Sequence, residues 1–210
     1  DSQKSWSELA SSSLLLKAVS SWRKDPESWL EGSFERLPET VRVNPLRTDS
    51  KWVEEWILEQ GGKSVPWFKG SGTAWEMPFS RGLAEGKTRE MLIALHETGR
   101  ITRQEIVSMI PVLALQVSTG DYVLDMCASP GSKTTQISEC LGEGGVVFAN
   151  EISNSRANTL VSNVHRHGSK SAVIINHDGR HLPKMPNRGF DKVLVDAPCT
   201  GSATTRKNPE

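Results

Sequence analysis

The chain has 210 residues, 36% of them hydrophobic and 24% charged, enough for one full globular domain and a smaller one. Its 25 basic and 25 acidic side chains cancel, so bulk charge gives no argument for a nucleic-acid partner. The longest apolar runs, Ser12 to Val19 and Ile106 to Val117, fall short of the roughly 20 apolar residues a membrane span needs, and the opening Asp-Ser-Gln-Lys-Ser is no secretory signal.

Residues 1–38 read as helical. Leu9, Leu14 to Leu16, Val19, Trp22, Trp29 and Leu30 are spaced to cover one face, with Pro26 in the first turn of a second helix. All seven tryptophans lie within the first 75 residues, whereas a glycine-rich, β-branched pattern starts near Gly120, so the chain divides into regions of different character. Val41-Arg-Val-Asn-Pro reads as a short strand, followed by an amphipathic helix carrying Trp52, Val53, Trp56, Ile57 and Leu58 and ended by Gly61-Gly62. Further strands are expected over Ser64 to Phe68, interrupted by Pro66, and over Ala74 to Met77.

From Gly120 onward, Tyr122 to Met126, Val146 to Asn150, Ala172 to Asn176 and Lys192 to Val195 are apolar runs of strand length. Helices fit between them around Thr134 to Leu141 and Ser155 to His167. This alternation predicts an α/β fold with a parallel sheet, and in such sheets ligands bind beyond the carboxyl ends of the strands. From Glu151 to the end, nine Lys and Arg stand against five Asp and Glu, a mild basic bias that a solvated surface explains nearly as well.

The first of these strands runs into Asp125-Met-Cys-Ala-Ser-Pro-Gly-Ser-Lys-Thr-Thr, a tight turn opening onto a helix. It is not a P-loop: Ser132 stands where the glycine before the lysine must be. The second strand ends at Asn150-Glu151, near the spacing at which doubly wound folds place an acid on ribose hydroxyls. The third ends in Asn176-His-Asp178 and the fourth in Asp196-Ala-Pro-Cys199. Acids at four successive strand ends suit an adenosine ligand with a cationic far end, such as the sulfonium of S-adenosylmethionine.

Cys127, Cys140 and Cys199 are odd in number and widely spaced, which argues against disulfides and against a Cys-x-x-Cys metal site. No metal is expected, and a reducing intracellular compartment, cytoplasmic or nuclear, is the default. Cys140 reads as a buried helical residue. Cys199, after a strand and a proline, is placed for chemistry: carbon 5 of cytosine is a poor nucleophile until a thiolate adds to carbon 6.

Arg103-Gln-Glu-Ile-Val-Ser-Met-Ile-Pro111, the segment Asp125 to Gln136, Asn176-His-Asp178 and Asp196-Ala-Pro-Cys-Thr-Gly201 followed by Arg206-Lys-Asn208 resemble the Nop/Sun family of RNA (cytosine-5) methyltransferases, most closely its eukaryotic and archaeal tRNA-modifying branch. The resemblance covers about residues 39–210. Beyond the N-terminal helical segment (1–38), it implies a small α+β RNA-recognition-like domain (39–102) and a Rossmann-like S-adenosylmethionine-dependent methyltransferase domain (103–210). By resemblance, Cys127, Ala128, Ser129, Pro130, Gly131, Ser132 and Lys133 wrap the methionine end of the cofactor. Glu151 holds the ribose with Arg156 beside it, Asp178 meets the adenine side, and Asp196 lies between cofactor and base. Lys133 supports it there. RNA, with tRNA first, is the implied partner.

In this family the nucleophile is a second cysteine, in a Thr-Cys motif on the strand after the Pro-Cys loop, and the Pro-Cys thiol assists product release. The resemblance therefore makes Cys199 the helper and places the nucleophile beyond Glu210. Two alternatives stay open: a pyrimidine methyltransferase with Cys199 itself as nucleophile, and a non-catalytic RNA-binding protein retaining the fold.

Overall fold

The computed structural model describes residues 14–26, 28–29, 32, 35–182 and 187–197. In the N-terminal segment, helix α1 spans Leu14–Ser20, and the rings of Trp22 and Trp29 meet edge to face at 6.5 Å. Pro26, Ser28 and Trp29 are helical, as a proline in a first turn allows, since its missing N–H has no partner to lose there. Leu9 and Leu30, assigned to the same apolar face, lie outside the described residues.

Pro38–Ala197 form one compact unit containing two four-stranded sheets. The first sheet is built from β1 (Pro38–Val43), β2 (Lys63–Ser64), β3 (Thr73–Ser80) and β4 (Ile101–Arg103), in the order β2-β3-β1-β4 with every neighbour antiparallel. Helices α2 (Ser50–Glu59) and α3 (Gly86–Glu97) pack against it. Val53 and Ile57, one turn apart on α2, bury into a core with Val41, Val43, Met77, Leu92, Leu95 and Ile101. The strand expected over Ser64 to Phe68 stops at Ser64; the Phe68 N–H turns back to the Val65 carbonyl at 3.1 Å. Pro66 has no N–H to offer a ladder, which accounts for the turn. Strand β4 crosses the expected boundary at 102/103 by one residue, since Arg103 pairs with Val41.

The second sheet contains β5 (Tyr122–Asp125), β6 (Val146–Asn150), β7 (Ala172–Ile175) and β8 (Lys192–Leu194), all parallel, in the order β7-β6-β5-β8. Each lies within one residue of its sequence expectation. Helices α4 (Ile106–Leu115), α5 (Ser132–Leu141) and α6 (Asn154–His167) flank it. Val112, Ile137 and Leu141 close one core with Val123, Val147 and Leu194, while Leu160 and Val164 close another with Ala128 and Ala149. The order β6-β5-β8 places the topological switch at β5, the kind of position beyond whose carboxyl end ligands bind in open α/β sheets.

A buried polar network joins the sheets. Arg42 on β1 is fully buried, and its Nε donates to both carboxylate oxygens of Glu139 on α5 at 3.1 and 2.9 Å. Its remaining donors reach the Gln104 side chain, the Ser132 carbonyl at 3.2 Å and the Thr135 hydroxyl at 2.8 Å. His167 Nε2 lies 2.9 Å from the same Glu139 carboxylate. A guanidinium out of water survives only when its fork is matched in this way.

Candidate cofactor site

The loop after β5 is held from several sides. The Met126 N–H donates to the Leu194 carbonyl of β8 at 3.0 Å, and the Ala128 N–H to the Asn150 carbonyl of β6 at 2.9 Å. Asn163 on α6 donates to the Pro130 carbonyl at 2.7 Å, and the Ser129 hydroxyl to the Arg156 carbonyl at 3.0 Å. Gly131 takes φ +110°, a region closed to most side chains, and a Cβ there would stand 3.0 Å from Leu160 Cδ1. Glycine thus lets the loop lie against α6 as it enters α5.

Glu151, at the end of β6, is 2% exposed. Its Oε1 accepts the Ser153 N–H at 3.0 Å and its Oε2 meets Arg156 at 3.2 Å. Arg156 also reaches the Ser129 carbonyl, so Glu151, Arg156 and the loop form one cluster. At the switch point, Lys133 Nζ contacts Asp196 Oδ2 at 2.7 Å and donates to the Ser108 hydroxyl at 2.9 Å. The loop after β5 is thereby tied to the segment leaving β8. Asp178 is engaged elsewhere: it accepts from the Arg180 N–H at 2.9 Å and pairs with the Arg180 guanidinium at 2.5 Å. Arg180 holds its carboxyl well below the usual carboxylate range.

Asp125 departs from the ligand-facing role that its place at a strand end suggests. It is 1% exposed and accepts the Thr134 hydroxyl at 2.7 Å. Burial pushes its carboxyl up to about 6, against the lowering by Thr134 and Lys133. Cys127 is half-buried, and burial, followed by the charges of Asp125 and Glu151, pushes its thiol up. Burial does the same to Cys140, whose Sγ lies 3.5 Å from the Gln136 carbonyl. Neither described thiol is activated as a nucleophile. Cys199, Thr200, Gly201, Arg206, Lys207 and Asn208 lie outside the described residues.

In the sequence, Asn150 reads only as a strand end. Its side-chain amide donates to the Met126 and His177 carbonyls at 3.2 and 3.0 Å, and its oxygen accepts the His177 N–H at 3.1 Å. One side chain thus ties together the ends of β5, β6 and β7. A polar residue in the last position of an apolar strand was the available signal.

The donor set fits S-adenosylmethionine. A carboxylate has about four acceptor positions; Glu151 uses two, leaving capacity for ribose hydroxyls. Bound there, the cofactor would supply a methyl group on a cationic sulfur. Gly131 and the loop backbone would flank it.

Residues 112–210 match the family model described as 16S rRNA methyltransferase RsmB/F. A human 28S rRNA (cytosine(4447)-C(5))-methyltransferase is 34% identical over 86% of this chain and 21% of its own length. Over residues 112–210 the chain is similar to the RsmB/F methyltransferase family. A Drosophila melanogaster tRNA (cytosine(34)-C(5))-methyltransferase is 38% identical over 70% of the chain and 22% of its own length. The chain therefore spans about a fifth of the length of these relatives. A crystal structure of a methyltransferase homolog protein from Pyrococcus horikoshii superimposes with a TM-score of 0.67 at 28% identity, covering 90% of this chain and 59% of that one. The fold is the Rossmann-like methyltransferase fold. No helix among the described residues is long and apolar enough to cross a membrane.

Proposed function

We propose that this chain forms the cofactor-binding portion of an enzyme that transfers a methyl group from S-adenosylmethionine to carbon 5 of cytosine in RNA. The observation that carries the reading is the Lys133–Asp196 contact of 2.7 Å at the switch point. It brings the loop assigned to the cofactor against the segment that leads, three residues on, to Cys199. In that arrangement the loop and Glu151 hold the methyl donor, while Lys133 and Asp196 border the place of the base. Cys199 assists release of the product. The base must leave its stack to reach this crevice. The first sheet, through residues 41–77, and the Arg206-Lys207 stretch are the proposed RNA contacts, and the cytoplasm or nucleus is the proposed compartment.

We take tRNA as the first substrate, supported by the 38% identity to the tRNA (cytosine(34)-C(5))-methyltransferase. Ribosomal RNA is the second reading, favoured by the longer match, over 86% of the chain, to the 28S rRNA enzyme. Transfer of a labelled methyl group to unmodified tRNA and to a large-subunit rRNA fragment separates them. Because its sequence holds no Thr-Cys pair, the 210-residue chain is expected to bind cofactor without transferring. A chain continued through a Thr-Cys strand is expected to methylate tRNA, and its Cys199→Ala variant to leave methylated RNA covalently attached, as a slow band on a denaturing gel. Methylation of the rRNA fragment instead would move the substrate. Robust transfer by the 210-residue chain, abolished in Cys199→Ala, would overturn the roles and make Cys199 the nucleophile.

A further inference from the structure

A cleft of about 420 Å³ opens beside the cofactor loop, lined by Arg81, His96, Arg103 and Arg166 and closed by the Pro130–Ser132 segment. None of Asp125, Glu151, Asp178 or Asp196 lines it, and no carboxylate side chain does. It is therefore a different face of the loop from the one the strand-end acids serve.

Two of its three arginines are balanced. Arg103 forks onto Glu39, Nε to Oε1 at 2.9 Å and Nη2 to Oε2 at 2.5 Å, and Arg81 contacts Glu105 at 2.5 Å. Arg166 is held differently: Nη1 donates to the His96 carbonyl at 2.6 Å and Nη2 to Asn163 Oδ1 at 3.1 Å. Among the described residues it has no carboxylate within ion-pairing range. One cation is thus left over, fixed in place, at an open polar cleft. Burial first, then the charges of Arg166 and Arg103, pull the His96 imidazole down to about 4, against a hydrogen bond with the Ile101 backbone and the opposing pull of Glu39.

We propose that this cleft is a phosphate site that holds one backbone phosphate of the RNA substrate between the first sheet and the cofactor loop. A guanidinium fixed at both nitrogens and short of an anion matches the fork geometry by which arginine takes phosphate oxygens. Phosphate contacts fix register without reading sequence, and this one would set the RNA at a known distance from the methyl donor. The proposal rests on the RNA reading above and adds residues outside the 41–77 segment to it.

The test uses RNA affinity as a function of salt together with His96 titration followed by NMR, on the chain and on Arg166→Gln and Arg81→Gln. Arg81 is half-exposed and its partner Glu105 only partly buried, so its variant keeps the test open if Arg166→Gln misfolds. Arg166→Gln is expected to weaken RNA binding about tenfold near 0.1 M salt and to shrink the slope of log affinity against log salt by about 0.7, the release expected for one phosphate on a single strand. Arg81→Gln, which removes a cation already paired with Glu105, is expected to weaken it by a smaller factor. Bound RNA should raise the His96 pKa by a unit or more, and Arg166→Gln should raise it without RNA. RNA binding that survives both substitutions with its salt slope intact would overturn the proposal and leave the RNA reading standing. If the wild type binds no RNA while inorganic phosphate alone raises the His96 pKa, the RNA reading falls and the cleft is a site for free phosphate. A His96 pKa unmoved by either ligand would overturn the site itself.

Discussion

Asp125, at the end of β5, ties down the start of α5 through the Thr134 hydroxyl at 2.7 Å, at the cost of burying an acid. Its carboxyl is raised in the folded chain to about 6 from an ordinary 3.8, so folding favours its protonated form. The contribution to stability is therefore full below about pH 4 and is lost as pH rises through 6, a change on the order of 3 kcal/mol for two pKa units. Asp125→Asn keeps an acceptor for Thr134 and cannot ionise. Urea unfolding at several pH values should show the variant gaining on the wild type between pH 4 and 6 and holding that advantage above. A difference that stays constant across that window contradicts the assignment. Asp178 and Asp196 stand at equivalent strand ends yet remain partly exposed, so position on a strand does not by itself decide which acid faces a ligand.

Among the elements, the seam between β1 and α5 rests on Arg42 and Glu139. Removing one member of a buried, fully hydrogen-bonded pair leaves the other charged in a dry place, which costs about 3–5 kcal/mol, whereas replacing both with apolar residues of similar volume is often neutral. Arg42→Met is expected to lose stability in that range, and Arg42→Met with Glu139→Leu to recover most of it, measured by denaturant midpoint at constant slope. Equal losses in the single and double variants would mean that packing, not charge, holds the seam. This pair also shows where reading the sequence stops. The strands β5 to β8 were legible because each is a contiguous apolar run, and the cofactor loop because Pro130, Gly131 and Lys133 sit together. Arg42 and Glu139 lie 97 positions apart, and nothing local in either segment announces the other. Helix α3 was missed for a different reason. Its buried residues, Leu92 and Leu95, are too few among charged neighbours to set up a helical period. The β2 expectation failed at Pro66, where apolar composition was outweighed by a missing donor.

At the scale of the whole unit Pro38–Ala197, the loop that follows β5 is fixed before any ligand arrives. β8 and β6 hold its start, α6 holds Pro130, and Arg42 of the first sheet takes the carbonyl of Ser132 where α5 begins. A preordered loop spends little binding energy on its own ordering, so the affinity lost on deleting one contact should reflect that contact. Glu151 is the residue on which the cofactor assignment depends most. The decisive measurement is calorimetric titration of S-adenosylmethionine, or its demethylated product, into the chain and into Glu151→Ala. The account predicts saturable binding by the wild type, weakened in the variant by about 1.5–3 kcal/mol for a lost hydrogen bond to a charged group, roughly ten- to a hundredfold in Kd. Equal affinity in the two proteins, or no binding by the wild type, would contradict it.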